Sequence, residues 1–277
     1  VLLKGGGKAH RWLGGALVLG AFGALAWLER RRPLREEREP KLARAARNLA
    51  VAGLGAAALG LAEKPVAERL TGLVERRRWG LLKLARLPAP VEAALAVVLL
   101  DYTLYLWHVA THRVPFLWRF HVVHHADLDL DATTALRFHF AELALSVPWR
   151  AAQILALGVS PSALSLWQTL LMLSILFHHS NVRLPAGFER RLGRLVVTPR
   201  LHGIHHTAER AATDSNWSSG LTLWDRLHGT LRLDAPRPAP GIGVPAYRDP
   251  RELGLADLLS MPFGEERPAW LRRGDKL

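Results

Sequence analysis

The chain has 277 residues and a formal charge of +13, from 37 Lys plus Arg against 24 Asp plus Glu. It is 49% hydrophobic and contains no cysteine, which excludes disulfide frameworks, Cys-ligated zinc, iron–sulfur clusters and thiol catalysis. Any metal must therefore be held by imidazole, carboxylate or backbone groups, and twelve of the 13 His fall between His108 and His228.

In chain order, Trp12–Leu28 is an uncharged run rich in Gly, Ala and Leu, followed by Glu29-Arg30-Arg31-Arg32 with no small-residue cleavage site. It reads as an uncleaved membrane helix rather than a signal peptide. Asn48–Ala62 is a second apolar run, ended by Glu63, Lys64 and Pro65. Val91–Trp107 is a third, broken only by Glu92 and Asp101. Phe140–Phe177 reads as a helical hairpin, its arms Glu142–Leu157 and Ser162–Phe177 joined by Gly158-Val159-Ser160-Pro161, residues that stop and restart helices. After Asn181 the chain turns polar, and Asp234–Leu277 reads as a Pro- and Gly-rich, mostly extended tail.

The expected fold class is all-α, an integral membrane helical bundle under a cytosolic helical cap that carries the histidines. Three regions follow: a membrane-anchor region at 1–88 (two apolar runs and an interfacial segment), a histidine-bearing domain at 89–232, and a polar tail at 233–277. The basic residues flank apolar runs instead of interleaving with aromatics on a polar face. Their partner is thus a membrane surface and not nucleic acid. Eight Lys or Arg between Glu29 and Arg47 place that segment in the cytoplasm. If the later runs all cross, His112, His139 and His178-His179 emerge on the same face. Glu75-Arg76-Arg77-Arg78 then lies on the opposite one, a conflict that an interfacial Val66–Leu87 or a re-entrant second run would resolve.

The histidines are patterned. His108 and His112 are spaced i, i+4; His121, His124 and His125 are spaced i, i+3, i+4; and His202, His205 and His206 repeat that spacing. On a helix each set lies largely on one face, which is how preorganised imidazoles chelate metal. Eight histidines exceed what one ion can use, so two metals are implied. His10 and His228 have no partner at ligand spacing. His139 reads as a helix-start packing residue or, less favoured, a ligand or a donor behind one. Asp127, Asp129 and Asp131 read as a solvated acidic loop, or else as acceptors orienting imidazole N–H groups. Asp101 is a candidate buried partner on the face of His108, or a polar spot at the membrane boundary. No Glu-x-x-His of soluble di-iron bundles and no His-Glu-x-x-His zinc-peptidase helix occurs.

With these boxes, Thr134-Ala135-Leu136-Arg137-Phe138-His139, Phe177-His178-His179-Ser180-Asn181 and the segment Asn216–Thr230, the chain resembles the fatty acid hydroxylase/sterol desaturase superfamily over about residues 90–232. The resemblance implies a membrane-bound non-haem di-iron oxygenase that hydroxylates or desaturates a lipid C–H bond. Its cofactors would be two iron ions, with O2 as co-substrate. The implied metal ligands are His108, His112, His121, His124, His125, His202, His205 and His206, with His179, preferred to His178, as a ninth. Asp225 and Arg226 would fix the C-terminal segment. No haem-binding His-Pro-Gly-Gly occurs, so electrons would come from a separate redox partner, ferredoxin- or cytochrome b5-type with a reductase. The implied location is the bacterial inner membrane, with the metals on its cytoplasmic face. Two other classes use the same residues, a zinc- or other metal-dependent membrane hydrolase and a metal transporter. The boxes sit at helix ends rather than mid-span, which counts against transport.

Overall fold

The computed structural model describes residues 6–234, 241–265 and 267–270, with side chains from residue 13 onward. His10 has its side chain outside the described residues. The protein is an all-α membrane bundle, and no β-strand occurs among the described residues, only isolated bridges. Among the described residues, three stretches are long and apolar enough to cross a membrane, Leu13–Arg31, Lys41–Lys83 and Ala89–Arg113. Only 11%, 17% and 22% of their apolar windows is buried inside the protein, so most of their apolar surface is left for lipid.

Helix α1 (Gly6–Arg31) packs on α8 (Pro161–His179), and α4 (Ala89–Arg113) packs on the same helix. Helix α2 (Lys41–Ala58) does not end at Pro65 as its sequence implies. It passes through a π-turn, Leu59–Glu63, straight into α3 (Lys64–Arg77). Proline cannot donate the next helical hydrogen bond and its ring crowds the preceding turn. The wide turn, closed by Lys64 N–H on Leu59 O, absorbs both effects, so the helix bends instead of stopping. The second run is therefore part of one continuous, bent helix from Lys41 to Arg77.

The far end of this helix meets the turn between α7 (Val147–Leu157) and α8, where Gly80 and Gly158 pack backbone to backbone. A Cβ on Gly80 would lie 2.2 Å from Gly158 N, and both glycines have positive φ (97° and 76°), so neither position accepts a side chain. Arg76–Arg78 thus sit at the end opposite His178 and His179, and basic residues cap both ends of the bundle. Gly158 ends α7 in the left-handed conformation, and Ser160 caps α8 by accepting from Ala163 N–H, as the hairpin reading expects. The first arm is broken in two, however. Helix α6 (Phe140–Leu145) stops at Ser146, where Pro148 opens α7.

At the histidine end, α5 (Pro115–His125), α9 (Ala186–Leu192), α10 (Pro199–His205), α11 (Arg210–Thr213) and α12 (Leu223–Leu227) form a cap over the helix ends. Glu29, closing α1, accepts from the backbone N–H groups of Ala132 (2.8 Å) and Asn181 (2.9 Å), tying the anchor to the cap. The C-terminal region is not merely an extended polar tail. Val244, Ala246, Tyr247 and Leu253, with Leu258 from α13 (Leu255–Ser260), are buried against Val122 and Val123 of α5. Its apolar residues are too sparse to show a period, yet they close the underside of the second histidine box.

Candidate metal centre

Each box is delivered by a helix end, so its side chains converge on one layer: α4 ends at Arg113, α5 at His125, α8 at His179 and α10 at His205. Eight of the nine implied ligands fall into two groups of four. His108, His112, His125 and His205 form one; His124, His179, His202 and His206 form the other; within each group the ligand atoms lie within 4.8 Å of one another. Neighbouring residues on a helix point about 100° apart. Each His-His pair therefore divides between the groups, His124 and His206 to one, His125 and His205 to the other. His121 joins neither group and lies between them, its ring 4.9 Å from that of His112 and 5.3 Å from that of His124.

The hydrogen bonds fix which ring nitrogen carries the proton. Carbonyls only accept, so His108 Nδ1 donates to Trp217 O (2.7 Å), His179 Nδ1 to Ile175 O (2.8 Å) and His205 Nδ1 to Ser215 O (2.8 Å). That leaves each Nε2 lone pair free to face inward. In the second group, successive Nε2 atoms are 3.1 Å (His124–His179), 3.0 Å (His179–His202) and 3.1 Å (His202–His206) apart. Imidazole nitrogens about 2.0–2.1 Å from an ion and at right angles around it are separated by about 3.0 Å. The chain's own bonds leave Nε2 of His112, His121, His125 and His205 buried without a partner, an arrangement whose cost a metal ion relieves. Each group thus has the donor set and the spacing to hold a metal.

Burial, reinforced by neighbouring imidazoles, holds His124, His125, His202 and His206 well below the usual histidine range and brings His205 down to about 3. These rings stay neutral and able to ligate at physiological pH. With folded values below the unfolded value of about 6.5, the unfolded chain binds more protons beneath that pH. Metal-free protein is expected to keep a constant Tm above about pH 6.5 and to lose stability progressively below it. Thermal unfolding in chelator across that range checks this, and a flat profile down to pH 5 would contradict it.

Glu142 carries no role in the sequence reading. Buried on α6, its Oε1 accepts from His121 Nδ1 at 2.8 Å and so fixes that ring. A lone carboxylate inside an apolar helical arm was its only signal. Glu142→Ala is expected to weaken metal binding roughly 10–100-fold, with Glu142→Gln closer to wild type because its amide oxygen still accepts. A metal titration of both variants tests this; unchanged affinity in Glu142→Ala would deny the carboxylate its role.

Other candidates resolve by their partners. His139 uses both nitrogens within the protein: Nδ1 accepts from Ala141 N–H, capping α6, and Nε2 contacts Leu259 O at 3.2 Å. His178 stands behind the second group, its ring 4.1 Å from that of His202. His228 is exposed against Tyr102 and Tyr105. Asp127, Asp129 and Asp131 are not a solvated loop; all three are buried. Asp127 and Asp131 bind Arg44, and Asp129 accepts from Arg38 and Glu39 N–H, so none orients an imidazole. Asp101 accepts from Trp224 Nε1 (2.7 Å) and Leu221 N (3.0 Å). Asp225 accepts from Trp217 and Ser218 N–H (3.0 Å each), which holds the loop whose carbonyls orient His108 and His205. Arg226 is exposed and takes no part in that clamp.

Residues 93–230 match the fatty acid hydroxylase family model. The chain belongs to the fatty acid hydroxylase/sterol desaturase superfamily. It is 32% identical over 153 residues to ornithine lipid hydroxylase OlsE of Rhizobium tropici, covering 55% of this chain and 45% of that protein. It is 28% identical over 145 residues to alkylglycerol monooxygenase of Homo sapiens, covering 52% and 32% respectively. With the cholesterol 25-hydroxylase-like protein of Danio rerio it shares 32% identity over 147 residues, 52% of this chain and 56% of that protein. The matched region thus spans from about a third to a little over half of these relatives' own length. No solved structure matches the chain.

Proposed function

We propose that the protein is a membrane-bound di-iron oxygenase that oxidises a lipid C–H bond, with hydroxylation favoured over desaturation by the names of its relatives. The observation that carries this reading is the paired histidine quartets with their lone pairs turned inward. The net reaction converts R–H, O2, two electrons and two protons into R–OH and H2O, the electrons arriving from a separate ferredoxin- or cytochrome b5-type partner. Bound in the two groups, iron would supply O2 activation and the hydrogen abstraction that an unactivated C–H bond requires.

The chain's own residues do the rest. His108, His112, His125 and His205 would hold one ion and His124, His179, His202 and His206 the other, with His121 between them and fixed by Glu142. The carbonyls of Trp217, Ile175 and Ser215 hold the Nδ1 protons. Phe138 covers His124 face to face at 4.3 Å and keeps water from that side. Eight Lys or Arg near the histidine end, against five between Arg76 and Arg86 at the other, support a cytoplasmic metal site in a bacterial inner membrane.

Metal analysis of protein purified in detergent tests the proposal, with two irons per chain expected. Lipid oxidation should then require both O2 and reductant. Turnover that persists without either would replace the oxygenase with a hydrolase.

A further inference from the structure

Beside the first histidine group lies a cavity of about 440 Å³ that the metal chemistry leaves unexplained. His112 lines it, and so do three arginines and two tryptophans: Arg113, Arg210, Arg267, Trp118 and Trp270. Their side chains come from α4, α11, α5 and the C-terminal region, so the fold assembles the site from remote segments. Asp214 is shared by Arg113 (3.6 Å) and Arg210 (3.8 Å), so one carboxylate faces two guanidinium groups. Arg267 adds a third, paired at its edge with Glu252 (2.7 Å). These arginines remain 54%, 68% and 43% exposed, free to take a further acceptor. Trp118 and Trp270 stack at 5.7 Å and form an apolar wall. Val114 and Phe116, on either side of Pro115 at the rim, are exposed and offer an apolar ledge beyond it.

We propose that this cavity is the headgroup pocket of the substrate, and that it takes a lipid with an anionic phosphate or carboxylate group. The planar, multiply donating guanidinium groups suit either oxyanion. The tryptophans cover the first carbons of the chain, and the ledge at Val114 and Phe116 leads the remainder out. Because His112 lines the same cavity, the carbons nearest the headgroup are those brought to the metals. A redox protein is a poorer fit, since even a weak electron-transfer partner docks on a broad patch of up to roughly 600 Å² per partner rather than in a small concave site. Calling the bound lipid a substrate rests on the oxygenase reading above; the pocket itself does not.

Binding to the full chain in dodecyl maltoside tests the pocket, with dodecyl phosphate and laurate as probes against dodecyltrimethylammonium and inorganic phosphate. Both anionic amphiphiles should bind at least about tenfold more tightly than either comparison probe. The Arg210→Gln/Arg267→Gln variant should lose that preference, while Arg190→Gln, on exposed α9, should keep it. Both substitutions of the double variant lie at exposed positions, and its Tm, measured alongside, should match wild type. Equal binding of the cationic amphiphile, or a preference that survives the double substitution, would overturn the proposal. Inorganic phosphate binding as tightly as dodecyl phosphate would make this a soluble-anion site and overturn it too. So would a double variant that keeps dodecyl phosphate but loses an acidic ferredoxin. Binding by metal-free protein separates the two readings: anionic amphiphile bound by a chain that never takes up iron leaves the pocket standing and removes the oxygenase. Iron-loaded protein without that binding does the reverse.

Discussion

Replacing His205 by alanine is expected to remove one metal of the two and to reduce turnover by more than about 100-fold, since removing a ligand costs more than removing the partner behind it. His205 is buried in the first group, its Nδ1 proton already held by Ser215 O and its Nε2 left with no partner in the chain. His112 already belongs to the group, and His121, whose Nδ1 is held by Glu142 and whose Nε2 is free, lies between the two groups rather than in the place of His205. His124→Ala is expected to remove the other metal, since adjacent rings feed different groups. Two histidines serve as controls with separate outcomes. His139→Ala loses a helix cap, about 1 kcal/mol, and retains both metals. His228→Ala sits on the surface and changes neither metal content nor turnover. Metal per chain, turnover and thermal unfolding of the four variants check the set. A His205→Ala protein that still holds two metals would break the assignment.

The split of the boxes shows what the sequence could carry and what it could not. Spacing identified which histidines come together, because i, i+3 and i+4 positions share a helix face and α4, α5 and α10 are regular there. It did not reveal that His124 and His125 part company, since that depends on where α8 and α10 approach α5. Helix capping and the Gly158–Pro161 turn were legible for the same local reason. What escaped was non-local. Arg44 looks like one more residue of a basic membrane flank, and the three aspartates look like a surface loop; their pairing spans more than eighty residues of sequence. Pro65 was read as a helix stop because the compensating π-turn has no sequence signature. Glu142 was silent because its partner, His121, was already accounted for by its box.

That hidden pairing leads to the largest expected effect on stability. Arg44→Leu is expected to destabilise the protein by about 3–5 kcal/mol, the range for leaving a buried charge without its partner. Arg44 is 1% exposed and Asp127 0%. The guanidinium binds Asp127 Oδ2 at 2.9 Å and reaches Asp131 as well, while Asn48 (2.9 Å) and Thr134 (2.8 Å) donate to the same Asp127 oxygen. Burial alone would raise the Asp127 pKa, but Arg44 and Arg137 outweigh it and hold the carboxyl below its ordinary range. It is therefore ionised, and removing Arg44 takes away its nearest cation, leaving only the longer contacts of Arg137 to Asp127 (3.6 Å) and Lys41 to Asp131 (4.0 Å). Arg44→Lys should recover part of the loss, since a single ammonium cannot serve both acids with the fork geometry of arginine. Combining Arg44→Leu with Asp127→Leu should cost less than the sum of the two, because the second change removes the charge that the first leaves stranded. The network also bears on chemistry. Asp127 follows His125 by two residues, and Arg137 donates to Val123 O (2.9 Å) inside the second box. Loosening it should lower metal content at temperatures where the helices remain folded. Unfolding in detergent, paired with metal analysis, measures both effects. A loss below about 1 kcal/mol would mean that water reaches Asp127, and that the anchor helix and the histidine cap are held together by packing alone.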